Sequence, residues 1–143
     1  MKLRLLRWSL AVAGLVWGAS VFGVFLKWTD AADVLEKLGA TTIAYDPMLN
    51  YWLRMTAGAF SLIGCWFVVM AIWPVKFRAA IPLFGWFMIL EGVILLIHGL
   101  KLNLKPLPFY ADCGACLMLG ILIVGLAKSA KFASEAKGQG AAS

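Results

Sequence analysis

Four long apolar runs separated by short polar connections dominate the chain, at positions 8–26, 51–73, 81–100 and 111–127. Each is close to the roughly 20 residues that cross about 30 Å of hydrocarbon at about 1.5 Å per helical residue. The fourth is the shortest, yet no charge falls between Asp112 and Lys128. Lipid offers no partner for bare backbone N–H and C=O groups, so a spanning segment is a helix or part of a closed barrel, and four short segments cannot close a barrel. The pattern predicts an all-α fold: an integral membrane four-helix bundle, with one membrane domain over 1–127 and a tail over 128–143.

The connections add detail. The longest, 27–50, predicts a short amphipathic helix with Asp30 as its cap, Ala31 as its first residue and Gly39 at its end. Val34, Leu35 and Leu38 then share one face, which suits a helix lying on the bundle or the membrane interface. Tyr45-Asp46-Pro47 reads as a turn into the second span. Pro74 opens a very short turn before the third span, and Pro106 and Pro108 stiffen the turn before the fourth. These two turns make spans two, three and four antiparallel neighbours. In the first span, Gly14-x-x-x-Gly18 and Ala19-x-x-x-Gly23 predict close packing against another helix of the same chain.

Composition agrees. Of the 143 residues, 63% are hydrophobic and 14% are charged, far from the balance of a soluble domain. Met1–Arg7 is basic and Gly18-Ala19-Ser20 is small, as in a secretory leader, but the apolar stretch is too long for one. The run is expected to stay as a span. Lys2, Arg4, Arg7, Lys76, Arg78, Lys128, Lys131 and Lys137 fall on one side of the bundle, against a single acid, Glu135. The opposite side holds Lys27, Lys37, Lys101 and Lys105 with Asp30, Asp33, Glu36, Asp46 and Asp112. The positive-inside rule then places both termini in the cytoplasm, which gives a multi-pass protein of the bacterial inner membrane. The net charge of +6 is thus a topological signal, with no nucleic-acid partner implied. Trp8, Trp28, Tyr51, Trp52, Trp73 and Tyr110 sit at the predicted span boundaries, as an aromatic belt does.

Candidate chemistry lies where polar groups enter the spans. Glu91 is mid-way along the third run, and an acid at that depth costs ~2.5–3.5 kcal/mol on insertion scales unless it faces protein, water or a counter-ion. His98 is seven residues on, near the same side of a helix, and Gly85, Gly92 and Gly99 repeat beside them. Arg54 lies about one turn inside the second span. An Arg54–Glu91 pair, with His98 near it, is the structural expectation, because charges buried in a membrane persist mainly when paired. The functional alternative is a cleft in which Glu91 holds a proton or a cation. Cys113-Gly114-Ala115-Cys116 forms C-x-x-C at the start of the fourth span; with Asp112 as N-cap, Cys113 takes the first helical position, where the helix dipole favours a thiolate. A thiol-disulfide function would need a second cysteine pair, and the only other thiol is Cys65. His98 alone cannot form a bis-histidine haem site, no metal site has recognisable spacing, and no cofactor is predicted, with quinone, haem and pigment left as open possibilities.

Trp52-Leu53-Arg54-Met55-Thr56-Ala57-Gly58-Ala59-Phe60, running on to Gly64, and Pro74 with Lys76 and Arg78 before the third span, resemble the DoxX-like group of four-helix bacterial membrane proteins. The resemblance implies an architecture more than an activity, with redox associations for some members. The expected function is an accessory or scaffold subunit of a membrane complex, more in keeping with a non-enzyme. Its partners would be the lipid bilayer and other membrane subunits or further copies of the chain. A small-solute or proton-coupled transporter using Glu91 is the first alternative, and redox chemistry at Cys113 and Cys116 the second.

Overall fold

The computed structural model describes residues 2–129, so the expected tail lies almost wholly outside the described residues. These residues form helices α1 (Lys2–Gly18), α2 (Val21–Phe25), α3 (Trp28–Lys37), α4 (Pro47–Ile72), α5 (Ala80–Lys101) and α6 (Pro106–Ser129), with no strand among them. Four stretches are long and apolar enough to cross a membrane: Lys2–Phe25, Pro47–Ile72, Ala80–Lys101 and Phe109–Ser129. Their outward faces are apolar too. Leu15, Phe22, Leu62 and Met118 are 66–73% exposed, a surface that suits lipid and would be a liability in water.

Helix ends explain where the observed elements depart from the sequence pattern. The first span is broken after Gly18: Ser20 N–H bonds Trp17 O and Gly23 N–H bonds Ser20 O, the tighter three-residue spacing. Gly18 and Ser20 are weak helix formers, so the break falls where the helix is least favoured. α3 starts at Trp28, which puts Asp30 inside its first turn and not at the cap. It ends as predicted, at Gly39 with φ 115°: Gly39 N–H bonds Glu36 O and Ala40 N–H bonds Leu35 O. Ala31 and Ala32 form its buried face, while Val34 and Leu38 point outward. Asp46 caps α4 from both Met48 N–H (2.7 Å) and Leu49 N–H (3.0 Å), with Pro47 at the first position. Asn103, at φ 48°, ends α5 in the manner of Gly39, with Leu104 N–H on Gly99 O. The last helix begins earlier than expected, and Leu107 inside it is extended (φ −108°, ψ 130°) because it precedes a proline.

The helices pack as two tight pairs, α1–α2 with α4 and α5 with α6, and α1 also touches α6. Gly64 makes the first pair possible. A Cβ there would lie 2.6 Å from Gly18 Cα and 2.9 Å from Gly14 O, so the predicted small-residue seam is an intrachain contact. In the second pair a Cβ on Gly120 would lie 2.8 Å from Gly85 O. Phe109, Cys113, Cys116, Gly120, Ile123 and Ala127 are buried along α6 at alternating steps of four and three, the seam of a close helix pair. The α4 and α5 backbones, despite their short connection, stay apart over most of their length. They meet near the turn through Phe67 and Phe84, whose rings lie edge to face at 5.6 Å. The sealed core lies at that same end, built on Leu6, Leu10, Phe67, Met70, Ile81 and Ile123. The bundle is therefore closed at the end carrying the N-terminus and wedged open further along.

Glycine substitutions separate the tight seam from open positions. Gly64→Ala forces backbone apart and is expected to cost about 1–3 kcal/mol. Gly58→Ala meets nothing within 4 Å and is expected to gain up to about 1 kcal/mol from helix propensity. Thermal unfolding of both variants in the same detergent reads the contrast.

Candidate functional site

Arg54 sits one helical turn after Asn50 and close to where the broken first span ends. Its Nε donates to Asn50 Oδ1 (3.1 Å), and its Nη1 donates to Gly23 O (2.9 Å) and Val24 O (3.0 Å). The two carbonyls belong to the last turn of α2, where backbone acceptors have no helical partner and the helix dipole is negative. A cation with several donors satisfies both needs at once, and three short bonds hold it. The expected Arg54–Glu91 pair is therefore not formed. The reason is local: the break after Gly18 creates acceptors at Arg54's own depth, nearer than a carboxylate deeper in α5. Two sequence cues point this way, the small-residue run 18–20 and Asn50 four residues before Arg54.

Glu91 instead lines the wedge between the helix pairs. Two cavities, about 220 Å³ and about 320 Å³, share Trp17, Phe60, Met88 and Glu91 as common wall. Trp17 and Phe60 stand edge to face with centroids 4.9 Å apart. The smaller lobe runs between α4 and α5 and is finished by Ile63, Phe67, Phe84 and Phe87. The larger runs toward the α3 end and adds Ser20, Leu95, Asp112 and Cys116. Glu91 is half-buried and has no ion-pair or hydrogen-bond partner among the described residues. Among the described residues no buried side-chain oxygen or nitrogen lacks a partner, so its carboxylate oxygens open onto the cleft and are not sealed in the packing. A charge that carries no internal partner faces a cavity with aromatic walls.

The remaining sequence candidates divide. His98 is exposed on α5 and lies outside both lobes, so its seven-residue spacing from Glu91 does not bring the two together. Gly92 and Gly99 on that side face α6, against Leu117 and Phe109. Cys116 and Asp112 share the larger lobe with Glu91, a convergence that the sequence pattern does not announce. Asp112 is not an N-cap, because continuous helix already runs from Phe109, past the extended Leu107, and Cys113 is not at a first helical position. Cys113 Sγ contacts Tyr110 O at 3.7 Å, and both it and Cys116 are free thiols one turn apart. The C-x-x-C spacing coincides with the buried seam of α6. Cys65 is exposed on α4, outside the cleft. Among the described residues no group of three His, Cys, Asp or Glu could hold a metal ion.

No family model, curated protein or solved structure matches the chain.

The geometry of the site predicts independent roles for the two charges. Arg54→Gln strips the α2 carbonyls of a charged donor and is expected to destabilise by about 2 kcal/mol. Glu91→Gln removes a charge with no internal partner and is expected to stay within about 0.5 kcal/mol of the parent. The double variant should show a coupling below about 0.5 kcal/mol; a coupling well above that would restore the ion pair. Chemical unfolding in micelles measures all three.

Proposed function

We propose that this chain is a small multi-pass protein of the bacterial inner membrane, with both termini in the cytoplasm, and that it binds a small apolar cation in the Glu91 cleft. The observation that carries the reading is the unpartnered Glu91 carboxylate opening onto two lobes walled by Trp17, Phe60, Phe84 and Phe87. Aromatic faces attract cations by about 0.5–2 kcal/mol each, most when water is excluded, and a carboxylate supplies the full counter-charge. The lobes, about 220 Å³ and about 320 Å³, together fall within the usual range of about 300–1,000 Å³ for a small-molecule site. Met88 and Leu95 would cover the apolar body, leaving Glu91 to fix the charged end.

The same carboxylate supports transport. It can hold a cation or a proton but not both, and that exclusion is the elementary step of proton-coupled exchange. An accessory or scaffold role is the alternative, since it needs no ligand, and the DoxX-like resemblance adds only a shared layout. What moves the weight to solute binding is that Arg54 is committed elsewhere. Redox chemistry gains little support from two thiols set in a packing seam. The placement in the bacterial inner membrane rests on the four apolar spans and on the excess of Lys and Arg at the end carrying the termini.

Phenyltrimethylammonium tests the proposal. Calorimetric titration of the purified full chain should show saturable binding that Glu91→Gln weakens at least about tenfold, a change of about 1.4 kcal/mol. Phe60→Ala should weaken it less, and His98→Ala should leave it unchanged. Equal binding by the parent and Glu91→Gln would remove the basis of the reading.

A further inference from the structure

A separate groove lies at the opposite end of the bundle from α3, on the outer side of the α1–α4 pair. It encloses about 340 Å³ and is rimmed by Arg4 and Arg7, with Trp8 beside them and Ala11, Ala71 and Ile72 among its floor residues. We propose that this groove holds an anionic phospholipid, its phosphate between the two guanidinium groups and an acyl chain along the floor. The inference rests on the membrane-spanning reading but is independent of the Glu91 cleft.

The charge arrangement asks for an external anion. Arg4 and Arg7 are one turn apart on α1 and both are exposed, and like charges at this spacing repel. They also stand near the positive end of the helix dipole, where a cation is disfavoured and an anion favoured. Among the described residues the neighbouring helices bring no acid to this end: α1 has none, α4 has none, and the acid of α6, Asp112, is at its far end. Two planar guanidinium forks match the oxygens of a phosphate. The rest of the groove selects a lipid over a free ion. Ala11 and Ala71 are small where two helices pack side by side, so they leave a furrow, and Val68, one turn deeper than Ile72 on α4, extends it as an apolar wall. Trp8 is 70% exposed at the charged end, the placement of an indole at the headgroup level. A free phosphate would use the arginines and leave the furrow empty; a phospholipid uses both. Basic pockets between spanning helices are recognised sites for anionic headgroups.

Native mass spectrometry of the detergent-purified full chain, offered equal phosphatidylglycerol and phosphatidylcholine of matched acyl chains, reads the preference directly. The parent is expected to retain phosphatidylglycerol preferentially, and Arg4→Gln with Arg7→Gln to lower the ratio roughly tenfold. Ala71→Phe fills the furrow, keeps both arginines and is expected to cause a similar loss. Lys76→Gln with Arg78→Gln, cations on the same side but outside the groove, should leave the ratio unchanged. No headgroup preference in the parent overturns the proposal. So does full retention by Ala71→Phe, which would mean diffuse surface charge, or equal retention of glycerol 3-phosphate, which would mean a site for phosphate alone. Loss of phenyltrimethylammonium binding has no bearing on these outcomes.

Discussion

A guanidinium inside an apolar helix bundle has to find acceptors, and in this protein it finds them on a broken helix. Arg54 donates to Gly23 O and Val24 O across the α2–α4 contact, and this one set of bonds fixes much else. It holds the end of the first span against the second and satisfies carbonyls that would otherwise be bare. It also neutralises the negative end of the α2 dipole. Because the charge is answered by backbone, no acid is recruited. Glu91 is left to face the cleft, and the acid that composition marks as costly becomes available to something outside the chain.

The cleft follows from how the glycines distribute close contact. Gly64 lets α1 and α4 backbones touch, and Gly85 with Gly120 does the same for α5 and α6. Tight pairing on these two seams leaves α4 and α5 spaced apart, and large side chains fill the wedge only at one end. Phe67 and Phe84 close it beside the core; Trp17 and Phe60 divide it further along. A well-packed half thus supports a half with room for a ligand, and Glu91 is at the boundary. Gly39, just past the end of α3, packs against the aliphatic part of Lys105 in the α5–α6 turn. That contact ties the long connection of one helix pair to the short turn of the other.

Much of this architecture is legible in the sequence because it depends on strong, local signals. Apolar run length marks the four spans, Asp46-Pro47 marks the start of α4, and Gly39 marks the end of α3. Gly14 and Gly18 announce a close crossing, and only their partner, Gly64, needs the structure. The misses come from competition between local preferences. Gly18 and Ser20 break a run that hydropathy reads as continuous, and a proline at 108 moves the start of α6 ahead of Asp112, which removes the cap assigned to that acid. The site was half visible. Glu91 stands out by its chemistry, but the need of buried charges for partners points to Arg54 as its counter-ion, and that rule ignores the acceptors that a helix break creates. Seven-residue spacing likewise predicts that His98 lies with Glu91, although exposure at 98 and an open cavity at 91 lead to different surroundings. Cys116 and Asp112 join the cleft through the α5–α6 pairing, a tertiary fact with no signature along the chain.

The central claim is that Arg54 answers the α2 carbonyls and leaves Glu91 free. Solid-state NMR of the protein in lipid bilayers tests it most directly, by nitrogen–carbon dipolar recoupling from the Arg54 guanidinium. Strong dephasing from the carbonyl carbons of Gly23 and Val24, with none from the Glu91 carboxyl carbon, is the predicted result, given N···O distances of 2.9 and 3.0 Å. Close coupling of the guanidinium to the Glu91 carboxyl carbon, with the carbonyl signals unaffected, would contradict the account and return Glu91 to a purely structural role.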